Sequence, residues 1–246
     1  MSGHSKWATT KHHKALVDAK KANVFGKLSK NIMIAARAGA DPEMNFSLRL
    51  AVDKAKEASM PREKIDHAIA KGSGAGGGVI VEPVLYEGFG PSGIPVLIDG
   101  ATDNRNRTTG DVKAILSKNG GTLGAQNSVK WMFEYKGVIH LIEEQVRGLK
   151  KAKEDNQDDV ILELIDIGCD DVVEEDGGLT LYCKFENFEK IKKELEKKGL
   201  KLEYAEMEWV AKNKQAVEDV VREQIDALIE ELEDHDDVNN VYSNLL

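Results

Sequence analysis

The residues best suited to chemistry crowd the start of the chain. His4, Ser5, Lys6 and Trp7 are followed by Lys11, His12, His13 and Lys14, and the cations continue as Lys20, Lys21, Lys27 and Lys30 to Arg37. Across that stretch Asp18 is the one opposing charge. Cations, hydrogen-bond donors and an indole in one run suit a polyanion, because phosphates need only positive donors and an indole stacks on any base. A solvated basic tail and a metal site are the competing readings of the same residues. Adjacent histidines such as His12 and His13 cannot share a helical face, which speaks against the metal.

The rest of the chain has the opposite sign. The whole protein carries a formal charge of −9 over 246 residues. Residues 1–71 hold 14 basic and 7 acidic side chains, residues 72–137 balance, and residues 138–246 carry the acidic excess. A binding face responds to local potential and not to the total, so the basic segment points to nucleic acid while the acidic bulk favours solubility.

A second chemical cluster is Thr102-Asp103-Asn104-Arg105-Asn106-Arg107-Thr108, which joins the end of an apolar strand to the start of a helix. Thr102 or Asp103 is the expected cap. Arg105 and Arg107 in the first turn oppose the helix macrodipole, so an acidic group must compensate. Either a phosphate bound by both arginines or a salt bridge to Asp99, Asp103 or Glu87 would do so, and the residue types leave both open.

Other chemistries find no support. The segment Gly72 to Gly78 lacks the Gly-Lys-Ser/Thr ending of a phosphate loop and follows a helix, so it reads as a linker. Neither G-x-S-x-G nor H-E-x-x-H occurs, and the acid pairs Asp158-Asp159, Asp170-Asp171 and Asp236-Asp237 read as solvated. Cys169 and Cys183 form no C-x-x-C pair and read as buried thiols. No enzyme activity, cofactor, metal or small-molecule substrate is expected. The sequence has no apolar run of membrane-spanning length and no signal-peptide pattern, which predicts a cytoplasmic protein without membrane partners.

These residues need elements to hold them. From Lys14 to Ala38 the apolar spacing predicts a helix with Val17, Phe25, Leu28, Ile32 and Ala35 on one face and Lys20, Lys27, Lys30 and Arg37 as a cationic ridge on another. Helices over 45–58 and from Pro61 complete a three-helix domain, 1–72. Strands at 79–86 and 94–98, a helix at 105–117 and an aromatic-rich strand at 129–135 follow. Residues 137–208 read as strand 138–142, helix 160–167, strands 171–173 and 179–185, helix 188–197 and strand 202–209, the ferredoxin-like βαββαβ order. The last helix and strand, 217–242, cannot bury their apolar faces alone. The expected architecture is therefore multidomain α+β: a helical domain, then two ferredoxin-like domains, with 137–208 inserted into a middle domain of 79–136 plus 209–246.

The motifs also resemble a known family. Gly-His-Ser-Lys-Trp-Ala at 3–8, Lys11-His12 with Lys14, Asp18-Ala19-Lys20, Lys27-Leu28, Asn45 with Leu48-Arg49, and Met60-Pro61 resemble the opening of the YebC family, also called PmpR-like. Tyr86-Glu87-Gly88, the Thr102 to Thr108 run, Gly120-Gly121 and the Asp237-Val238-Asn239-Asn240-Val241-Tyr242 ending continue the match. The resemblance implies a cytoplasmic, non-enzymatic regulator of gene expression. In one role it implies a transcriptional regulatory protein contacting DNA through the basic N-terminal domain. In the alternative it implies a translation factor that binds rRNA at the ribosome and relieves stalling at proline runs.

Overall fold

The computed structural model describes residues 21–74, 80–151, 157–175, 178–200, 202 and 204–245. Three helices come first: α1 (Lys21–Ala36), α2 (Phe46–Glu57) and α3 (Arg62–Gly72). Leu28, Ile32 and Ala36 of α1 close onto Leu48, Val52 and Ala55 of α2 and Ile65 and Ala68 of α3. Each fully buried side chain such as Ile32 contributes roughly 1.5–3 kcal/mol of hydrophobic stabilisation. Asn45 starts α2: its side-chain oxygen accepts from the Leu48 N–H at 3.1 Å, and its amide donates to the carbonyls of Ala35 and Gly39.

The strands β1 (Glu82–Phe89) and β2 (Pro95–Thr102) then form a hairpin, followed by α4 (Arg105–Lys118) and a short β3 (Thr122–Leu123). The strand β4 (Phe133–Leu141) opens a stretch with α5 (Glu143–Lys151), α6 (Gln157–Ile167), β5 (Asp171–Glu175), β6 (Gly178–Cys183), α7 (Phe185–Lys197) and β7 (Tyr204–Ala211). The chain ends with α8 (Asp219–Glu233) and β8 (Val238–Ser243).

Two four-stranded antiparallel sheets result, ordered β3-β1-β2-β8 and β5-β6-β4-β7. The architecture is α+β with a helical N-terminal region. In the first sheet α8 and β8 supply the missing helix and strand: Leu228 and Leu232 pack with Val96, Ile98, Val112 and Leu116, and β8 pairs with β2. The second sheet places its first and last strands side by side, the ferredoxin-like order. By compactness the described residues up to Val129 join Glu218–Ser243 in one unit, and Lys130–Val217 with 244–245 form another.

The structure differs from the expected elements in several places. Strands at 129–135 and 138–142 are one strand, β4, and it belongs wholly to the second sheet. Gly137, at the expected domain boundary, lies inside this strand at a position where a Cβ would collide with the Phe188 ring and the Cys183 sulfur. The third strand of the first sheet is instead the two-residue β3. Residues 143–151, expected only as part of the connection between strand 138–142 and helix 160–167, form an amphipathic helix. Pro61 precedes α3 as its cap residue and is not its first helical residue. The glycine-rich segment at 75–79 and the turn at 176–177 lie outside the described residues.

Cys169 and Cys183 are buried free thiols, and burial pushes both up to about 12. No helix among the described residues is long and apolar enough to cross a membrane.

Two glycine substitutions should act with opposite sign. Gly137→Ala overpacks the Phe188 contact and should cost about 1–3 kcal/mol. Gly26→Ala, on an open face of α1 with nothing near the new methyl, should add about 1 kcal/mol through helix propensity. Chemical denaturation of both variants checks the pair.

Candidate functional site

The cationic ridge of α1 lies against the first sheet's own helix and strand. Lys27 Nζ donates to the Glu233 carbonyl, Asn23 Nδ2 to the Asp234 carbonyl at 3.0 Å, and Lys30 Nζ to the Asp236 carbonyl at 3.0 Å. These carbonyls are the free C-terminal end of α8 and the turn after it. α8 has no basic residue in its own last turn, so α1 supplies the positive charge that the end of its macrodipole favours. Arg37 reaches the Val81 carbonyl at 2.5 Å, and Asn239 Nδ2 donates to Asn31 Oδ1 at 2.9 Å.

Asp237 is the centre of this contact. Its side chain is 2% exposed. Lys30 Nζ lies 2.5 Å from Oδ1, while Oδ2 accepts from Arg107 at 2.8 Å, Thr108 Oγ1 at 2.7 Å and Thr102 Oγ1 at 3.1 Å. Burial opposes ionisation of this carboxyl, but the hydrogen bonds from Lys30, Arg107 and Thr108 outweigh it and hold Asp237 well below the usual carboxylate range. The same contact to Asp237, then that to Asp103, raises the Arg107 guanidinium above its ordinary value.

Local structure explains why the carboxylate sits there. Gly100 in β2 has no Cβ, which lets the Asp237 backbone approach until its carbonyl accepts from the Ala101 N–H at 2.8 Å. The ladder between β2 and β8 shifts register at Asp99/Gly100, beside this approach. His235 completes the turn: its Nδ1 accepts from the Asp237 N–H at 3.1 Å, which assigns the proton to Nε2, 3.2 Å from Asp111 Oδ2.

The cap of α4 is neither Thr102 nor Asp103. Asn104 adopts the extended conformation and accepts from the Arg107 N–H at 3.1 Å, while Thr102 Oγ1 accepts from the Asn104 N–H at 2.9 Å. Thr102 is thereby turned inward to Asp237. Of the acids proposed to compensate the arginines, Asp103 contacts Arg107 at 2.8 Å; Arg105 instead lies 3.5 Å from Glu82. Glu87 is buried, and its two oxygens accept from the Asn127 and Val129 N–H groups. A phosphate at Arg107 would have to compete with two carboxylates already in place.

Asp236-Asp237 is also corrected: Asp236 is exposed, whereas Asp237 is buried and fully hydrogen-bonded. Its burial depends on partners more than a hundred residues away, so a polar run in sequence gave no sign of it. The only sequence signal was the family-like Asp-Val-Asn-Asn-Val-Tyr ending, which carries no role in itself.

Around the clasp is an open depression of about 500 Å³ lined by Lys30, Asp103, Arg107, Asp234, His235, Asp236 and Asp237. Its lining is predominantly acidic. Asp237, its buried carboxylate, stays ionised and is taken up by the donors of Lys30, Arg107, Thr102 and Thr108. Among the described residues no group of His, Cys, Asp and Glu could hold a metal. His4, Ser5, Lys6, Trp7, Lys11, His12, His13, Lys14 and Lys20 lie outside the described residues, and Lys21 is described only as the first residue of α1.

Asp237→Asn removes the charge that Lys30 and Arg107 face and leaves one acceptor oxygen where four donors converge. Asp237→Asn should destabilise the fold by about 3 kcal/mol, a value at the low end for a broken buried pair because Arg107 is half exposed. A lowered folded-state value means the stabilisation is complete above the ordinary carboxylate range and lost as pH falls below it. The difference between wild type and Asp237→Asn should therefore be constant from pH 5 to 8 and shrink below about pH 4, read by urea denaturation across pH.

The chain is similar to known proteins over nearly its whole length. Residues 5–75 match the model described as the TACO1/YebC protein N-terminal domain, and residues 81–245 match that of the TACO1/YebC second and third domain. A protein of Dictyoglomus thermophilum named "Probable transcriptional regulatory protein" is 44% identical over 245 residues, covering 99% of this chain and 95% of the relative. A Halothermothrix orenii protein of the same name is 44% identical over 246 residues, covering 99% and 94%. The crystal structure of a conserved hypothetical protein from Aquifex aeolicus aligns with a TM-score of 0.83 at 37% identity, over 98% of this chain and 97% of that one. With both family models matched in order and relatives aligned end to end, the chain belongs to the TACO1/YebC family.

Proposed function

We propose that this protein is a non-enzymatic regulator of transcription that contacts DNA through its basic N-terminal segment. The observation that carries this reading is the run from His4 to Lys21, which joins Lys6, Lys11, Lys14, Lys20 and Lys21 to three histidines and Trp7 in a chain of net charge −9. The names of the relatives, which are probable transcriptional regulatory proteins, support the regulatory role. The ridge on α1 narrows the reading, because Lys27, Lys30 and Arg37 have donor contacts within the protein. Phosphate contact therefore falls to the cations before them. Arg105 and Arg107 act in this reading as ties to Glu82, Asp103 and Asp237 and not as primary DNA contacts. The working compartment is the cytoplasm, where such a regulator meets DNA.

About five phosphate contacts predict a steep salt dependence. Duplex affinity should fall several-hundred-fold between 50 and 200 mM salt, with a logarithmic slope of roughly −4 to −5. Replacing Lys6, Lys11 and Lys14 together with alanine should flatten the slope by about three. Fluorescence anisotropy on a labelled duplex measures both. A slope near zero, or an unchanged slope in the triple variant, would remove the reading. Crosslinking in cells should then recover promoter DNA, and a pool dominated by rRNA would reject DNA as the target.

A further inference from the structure

The second unit carries aromatic surface outside its core. Tyr182, Tyr204 and Phe188 are buried there, yet Trp131 is 63% exposed and Tyr135 is 48% exposed. Tyr135 and Trp209 face each other across the β4–β7 ladder, with centroids 5.2 Å apart and planes tilted by 49°. Lys130 Nζ stands 5.3 Å from the centre of the Trp209 ring. Trp131 occupies the 3₁₀ turn Lys130–Met132, which the Lys212 N–H holds by donating to the Met132 carbonyl at 2.9 Å.

The backbone that carries these rings is held by hydrogen bonds, and β7 is an edge strand of its sheet. Exposed aromatic area of this kind marks a contact surface. The nearby charge is locally basic although the unit is acidic. Lys130 stands on the rings' own side, Lys136 and Lys212 flank Glu134 at 3.3 and 3.7 Å on the opposite face of the sheet, and Glu208 is buried. Exposed rings with a lysine beside them are the kind of surface on which unpaired bases stack.

We propose that Trp131 and Tyr135, backed by Trp209 and Lys130, are a stacking platform for the unpaired bases of a single-stranded nucleic acid. The proposal rests on the nucleic-acid reading above and adds a contact of different chemistry. Lysines in the N-terminal segment would meet phosphates on any duplex, whereas the platform requires base faces that a duplex keeps stacked. The protein would thereby favour opened or looped strands over intact helix.

The test uses the full chain with fluorescein-labelled 12-nucleotide oligo(dT), oligo(rU) and a 12-base-pair duplex. Trp131→Ala and Tyr135→Ala should each weaken single-strand binding by roughly five- to a hundredfold, leave duplex affinity within about twofold, and keep the wild-type thermal midpoint. Trp131→Phe, which retains a ring, should restore most of the loss. In a Trp7→Phe background, single strands should quench the remaining tryptophan fluorescence and the duplex should not. The two oligonucleotides distinguish RNA from DNA as the source of the bases. Unchanged single-strand affinity in both alanine variants, or equal loss on single strand and duplex, would overturn the platform while leaving the DNA reading intact. A wild-type chain that binds none of the three at low salt would overturn the DNA reading, and the platform with it.

Discussion

The buried carboxylate of Asp237 is the constraint on which the first unit depends. One side chain accepts from α1 through Lys30, from the first turn of α4 through Arg107 and Thr108, and from the end of β2 through Thr102. An ion taken this far from water is costly unless every lone pair has a donor, and here four donors converge on two oxygens. Moving any of the three elements would strand the charge. The carboxylate therefore makes the position of the helical bundle on its neighbouring sheet a matter of electrostatics as well as packing.

The end of α8 shows the same logic on the backbone. Its last carbonyls need donors, and the helix has no basic residue in its own last turn to help. Along one face of α1, Asn23 and Lys27 reach the carbonyls of Asp234 and Glu233, and Lys30 reaches that of Asp236 in the turn beyond. A helical stripe of cations thus serves two purposes that sequence alone cannot separate, because a lysine directed at a phosphate and one directed at a carbonyl have the same periodicity. In this protein the later part of the stripe is structural, and the DNA reading rests on the earlier part.

The proposed function asks for two kinds of chemistry. In the proposed reading phosphate contact falls to the basic opening of the chain, while exposed aromatic rings occur at one end of the second sheet. The acidic remainder supplies solubility and disfavours adventitious polyanion binding elsewhere.

Much of the architecture was legible from periodicity. The apolar spacing of Leu28 and Ile32, the turn residues between β1 and β2, and the stranded last helix and strand led to a three-helix bundle and two α+β layers, because amphipathic faces must be covered whatever covers them. The family is legible too, since its motifs lie in fixed order from Gly3 onward. Tertiary structure alone decided which charges are buried. Asp237 looked solvated and Lys30 looked free, because their environments are made by Gly100, Thr102 and Thr108 far away in the chain. It also decided that Gly137 continues a strand, for the reason lies in Phe188 and not in its neighbours in sequence. A sequence records periodicity and capping because both act within a few residues, whereas the desolvation of a charge and the fit of a ring are set by what the fold brings alongside.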